Sequence, residues 1–104
     1  MGEPIELNKR EAWAIQCMDR QILVLDDLAA RAADPRAWLA LERQAGSYDR
    51  HLGTWLARES IFPAARDRMR QHQADLAGFA CRARDEVAGV DPYTLEAARA
   101  ASRV

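Results

Sequence analysis

Apolar residues recur along this chain at alternating steps of three and four, the spacing that lines one side of an α-helix. The stretch from Trp13 to Ala33 shows it best, where Ile15, Met18, Ile22, Leu25, Ala29 and Ala32 form one seam. The pattern predicts a first helix over residues 8–33. Asn8 is its N-cap, and Glu11 completes a capping box in which Asn stands in for Ser or Thr. Glu11 also prolongs the seam, at an end of the bundle where its carboxylate is expected to reach water. This helix has more apolar side chains than one seam requires. Trp13, Cys17 and Val24 lie on one flank, Leu28 joins that flank to the seam, and Leu23 points nearly opposite. A helix that is apolar on more than one side is either central in a bundle or shared with a partner.

Asp34-Pro35 ends the first helix and opens a second over residues 35–59, because Asp caps and Pro suits the first helical position. Its seam reads Trp38, Leu41, Ala45, Tyr48, Leu52, Trp55. Gly46-Ser47 taken alone would break the helix. The spacing is unbroken across Ala45 and Tyr48, so a continuous helix is expected, with Gly46 and Gly53 letting another backbone come close. A third helix is expected over residues 62–88, with Pro63 in its first turn and Gly89 as its stop. Its seam is Phe62, Ala65, Met69, His72, Leu76, Phe79, Ala83 and Val87. A second stripe of small residues, Ala74, Gly78, Cys81 and Ala88, lies on the opposite side. Asp91-Pro92 repeats the capping pair and opens a short helix over residues 92–102, with Tyr93, Leu95, Ala98 and Ala101 as its apolar positions. Residues 1–7 read as an arm, since Pro4 keeps Glu3 out of the helical region.

These elements predict an all-α domain spanning residues 1–104: an antiparallel three-helix bundle of long helices with a short fourth C-terminal helix. Up-down-up layering would set Ile22 near Tyr48 and His72, and Ala32 near Trp38 and Ala83. Hydrophobic residues at 49% and charged residues at 30% give a chain of this length enough material for one core without staples. A net charge of −1 provides no global field toward nucleic acid or anionic lipid. Lys9 is the sole lysine and every other basic residue is arginine. That bias suits planar interface contacts, and a GC-rich genome, with its frequent alanine, produces it as well. The N-terminus has no apolar h-region, and no apolar run approaches the roughly 20 residues a membrane span needs. A cytoplasmic protein with free thiols is the expectation.

Chemistry finds little support. Ferritin-like sites need Glu-x-x-His pairs, but the residues three before His51 and His72 are Tyr48 and Met69, and no HExxH motif is present. No metal or cofactor is expected. His72 on an apolar seam is read as a satisfied core histidine, bonded to the Tyr48 hydroxyl or to Gln21, rather than as a pH-sensitive element. Cys17 and Cys81 fall mid-helix without a base, no Gly-rich phosphate loop occurs, and the pairs Asp26-Asp27 and Asp85-Glu86 diverge around their helices. The chain is therefore expected not to be an enzyme.

Protein interaction is the function that remains. The flank Trp13, Cys17, Val24 and the stripe Ala74, Gly78, Cys81 are apolar faces left over once three seams have formed one core. Small residues at such spacing allow close helix approach. The expectation is a helical interaction module of the adaptor, chaperone or inhibitor type, an architecture found among small bacterial and phage accessory proteins, acting on a protein partner or as a homodimer. The alternative is a nucleic-acid-binding adaptor using Arg66, Arg70 and Arg84 on one side of the third helix, although interspersed aspartates make a solvated face the usual meaning of such a row.

Overall fold

The computed structural model describes residues 9–58 and 60–102, and within them four helices and no strand are present. They are α1 (Lys9–Arg31), α2 (Pro35–Leu56), α3 (Pro63–Ala88) and α4 (Pro92–Ser102). The expected cap at Asn8 and the arm at 1–7 lie outside the described residues. The first helix stops at Arg31 rather than at residue 33, and the second at Leu56 rather than at residue 59.

Local chemistry explains the corners. The Asp34 side chain accepts a hydrogen bond from the Ala37 amide at 2.9 Å, with Pro35 in the first turn behind it. Asp91 does the same for the Thr94 amide at 2.8 Å, and its other oxygen accepts from the Thr94 hydroxyl at 2.7 Å. These bonds hold the Asp91 carboxyl below the usual carboxylate range, led by the Thr94 hydroxyl. A depressed folded-state pKa stabilises α4 above the unfolded value of 3.8, and that contribution is lost as pH falls through the lower folded value. Acidification below about pH 4 is therefore expected to fray the start of α4 first, seen as faster amide exchange at Thr94 and Leu95 with the other helices still protected. Phe62 caps α3 without a side-chain bond, and Gly89 closes it in right-handed backbone (φ −90°). Gly89 thus ends the helix without adopting the left-handed conformation for which a glycine stop is usually chosen.

Helix α2 runs unbroken through Gly46-Ser47. Ala45 and Leu52 on either side are buried to 1% and 2% exposure, and that packing outweighs a glycine cost of about 1 kcal/mol. The expected close approach of another backbone is absent. A Cβ on Gly53 would meet nothing within 4 Å, and one on Gly46 would meet only the tip of Arg50 at 3.6 Å. Gly46→Ala and Gly53→Ala should each stabilise the protein by about 0.4–1 kcal/mol, read as a higher melting temperature. A drop at either position would mean that the glycine has a packing role.

The core is one cluster from α1, α2, α3 and the α2–α3 corner. Leu25, Leu52, Met69 and Leu76 are its largest fully buried side chains, and Ile61 seals the corner. Helix α3 is the central packing element: α2 lies against it most extensively and α1 next, whereas α1 and α2 barely touch. Helix α4 packs on α2, with Ala98 buried. The Cα radius of gyration is 16.5 Å, against about 13 Å for a compact chain of this length. In so narrow a rod each helix has few neighbours to cover its sides.

Two polar expectations change. Glu11 does not reach water: it is 3% exposed in the first turn of α1, where the helix dipole favours a carboxylate. His72 is buried as expected, at 3% exposure, but its partner is Asp19. The ring Nε2 lies 2.7 Å from Asp19 Oδ1, while the Tyr48 hydroxyl donates to Gln21 Oε1, also at 2.7 Å. Arg68 donates to the same Asp19 oxygen at 2.7 Å, so two side chains of α3 meet on one carboxylate of α1. Within the described residues no helix is long and apolar enough to cross a membrane.

Candidate functional site

Helix α1 exposes four large apolar side chains, Trp13 at 68%, Leu23 at 70%, Val24 at 50% and Leu28 at 49%. The seam faces α3 and α2, and the surplus lies on either side of it. Because α1 leans on α3 and stands off α2, each side opens into a groove.

The first groove lies between α1 and α2 and encloses about 460 Å³. Trp13, Cys17 and Met18 line it from α1, and Tyr48, His51 and Trp55 from α2. At one end the Tyr48–Gln21 hydrogen bond ties the two helices together. At the other end the groove continues over Trp13 and Trp55 into a smaller cleft of about 270 Å³ flanked by Lys9 and Arg10. The Arg58 guanidinium stacks 4.1 Å above the Trp55 ring. No Asp or Glu is among the described residues that line either cavity.

The second groove, about 490 Å³, lies on the other side of α1, against α3. Leu23 and Ile22 face Ala74, Gly78 and Phe79 across it, with Asp26, Asp75 and Arg82 at its edges. A Cβ on Gly78 would meet nothing within 4 Å, so the small-residue stripe is open. Helix α4 does not cover it, because α4 packs on α2.

The structure therefore divides the residues that the sequence grouped. Trp13 and Cys17 belong to the α1–α2 groove, and Val24 prolongs their flank beyond the Gln21 bridge. Ala74 and Gly78 belong to the α1–α3 groove, while Cys81 is exposed on α3 beside it. Tyr48 and Trp55 pack against the core as their seam positions imply, but the sequence did not reveal that they also line a groove, nor that Leu23 pairs with the stripe. A signal was present: Ala45 and Leu52, seven apart, mark the centre of the α2 seam, and Tyr48 and Trp55, also seven apart, lie together on its edge, where a heptad drifts about 20° per repeat.

Two of the three arginines of the nucleic-acid alternative, Arg66 and Arg84, are engaged with α2. Arg66 donates to the Leu56 carbonyl at 3.4 Å, and Arg84 pairs with Glu42 at 3.3 Å. Eighteen residues separate them, about 27 Å along a helix. Among the described residues no group of three or more His, Cys, Asp or Glu is placed to hold a metal ion.

Fold and site together define a small all-helical protein whose first helix is flanked by two apolar grooves, one aromatic with basic neighbours and one small-residue with mixed charge. Compared with family models, curated proteins and solved structures, the chain matches none.

Proposed function

We propose that this protein is a non-enzymatic interaction module that binds a protein partner through the faces of α1 left open by its own bundle. The observation that carries this reading is Trp13, 68% exposed beside a groove whose other wall holds Trp55. Tryptophan supplies a large rigid apolar surface and dominates many interfaces. Contiguous apolar surface of this kind on a small protein marks a contact site. An up-down-up antiparallel bundle supports the reading, because it leaves the α1–α2 groove running lengthwise. That topology is supported in turn by the pairs Glu42–Arg84 and Leu56–Arg66, which link early α2 to late α3 and late α2 to early α3.

The test is a photo-crosslinking residue placed at position 13 or 24, with exposed Asp67 as the control position, in cells that make the protein. Discrete protein adducts are expected at 13 and 24 and not at 67. Light scattering of the purified chain then tells a partner from a second copy. Adducts no stronger at 13 and 24 than at 67 would overturn the proposal.

A further inference from the structure

Resting on that reading, we infer that the α1–α2 groove is a receptor for an acidic amphipathic helix of another protein. The floor is apolar and aromatic, which suits the i, i+3, i+4, i+7 anchors of a docked helix. The surroundings are basic. Lys9 and Arg10 flank one end, and Arg58 stacks on Trp55. Arg20, seven residues after Trp13 and exposed, falls on the same side of α1. No carboxylate among the described residues lines this groove, although the chain as a whole carries a net charge of −1. The asymmetry is therefore local, and it complements negative charge flanking an apolar stripe. From Lys9 to Gln21 the groove spans thirteen residues of α1, about 18 Å, which accommodates roughly three turns of helix.

Other occupants fit less well. A second copy docked face to face about a two-fold axis would bring a groove without a lining carboxylate against another of the same kind, so the basic residues would find no acidic partner there. A single nucleic-acid strand would use Trp13 and Trp55 for stacking, but the flank continues into Val24 and Leu28, aliphatic residues that offer no ring for a base.

The experiment is display selection from a randomised library of 20-residue helix-forming peptides on the full chain. The enriched peptides are then titrated by fluorescence anisotropy against wild type, Trp13→Glu, Trp13→Phe and the Arg10→Glu/Arg58→Glu double variant, with circular dichroism confirming helicity. Enriched sequences are expected to combine an apolar stripe with an excess of Asp and Glu over Lys and Arg. Trp13→Glu and the double variant should each weaken binding by about tenfold or more, while Trp13→Phe stays within about threefold of wild type. Raising salt from roughly 0.05 to 0.5 M should also weaken it. No enrichment, enrichment without an acidic excess, or tighter binding of a twelve-nucleotide oligo-dT than of any peptide would overturn the inference. If acidic helices fail while crosslinks at positions 13 and 24 persist, the interaction module stands and its partner is of other chemistry. Failure of both removes both.

Discussion

Leu25→Ala is expected to lower the stability of the folded chain by about 2–5 kcal/mol, the largest effect of any single substitution considered. Leu25 is 1% exposed in the middle of the α1 seam, among the largest side chains of the core. Its truncation removes buried methyl groups and leaves a cavity that neighbours on two helices cannot fully close. For a chain of this size each kcal/mol moves the melting temperature by roughly 4–8 °C, so the loss is easily read by thermal denaturation. Ile22→Ala should cost less, because Ile22 is only half buried and borders the α1–α3 groove. Trp13→Ala should change stability by no more than about 0.5 kcal/mol, as for most surface positions, although tryptophan is by far the larger residue. Equal melting losses at positions 13 and 25 would mean that the Trp13 face is part of the core, and the groove would lose its claim to be a binding surface.

The buried histidine gives the second large effect. His72 Nε2–H donates to Asp19 Oδ1 at 2.7 Å, since a carboxylate only accepts, and its Nδ1 is buried without a hydrogen-bond partner. Asp19→Ala would leave both ring nitrogens unsatisfied in an apolar layer, at a cost of about 1–3 kcal/mol. Asp19→Asn keeps an oxygen acceptor at the same place and should cost less. His72→Leu removes the buried polar group altogether, so the Asp19→Ala/His72→Leu double variant is expected to be more stable than Asp19→Ala alone. Chemical denaturation of the four proteins closes a double-mutant cycle. Strictly additive losses would show that Asp19 and His72 do not act as a pair. Arg68 provides an internal check, because it shares the same Asp19 oxygen but has an exposed side chain. Arg68→Ala should cost well under 1 kcal/mol, as exposed ion pairs usually do.

Much of this was written in the order of residues. The three–four spacing located the helical segments and most core positions, although Phe62, placed on the α3 seam, is 40% exposed. Asp34-Pro35 and Asp91-Pro92 marked two helix starts, because a cap and a proline act within a few residues of themselves. The surplus of apolar side chains on α1 was legible for the same reason, since helical periodicity assigns each residue a side without knowledge of its neighbours.

What the periodicity could not supply was which neighbour stands on which side, and how closely. That Asp19, not Tyr48 or Gln21, satisfies His72 depends on where α1 lies along α3. That Trp13 and Gly78 belong to different grooves depends on α1 leaning toward α3 and away from α2. That Tyr48 and Trp55 line a groove while packing against the core follows from the same tilt. Interactions within a turn or two of chain set the helices, the Asp34 and Asp91 caps and the excess of apolar surface, and these could be read along the chain. How that surface is divided and what charge surrounds it came from the packing of the helices, because both are properties of gaps between them, and a gap belongs to no single segment.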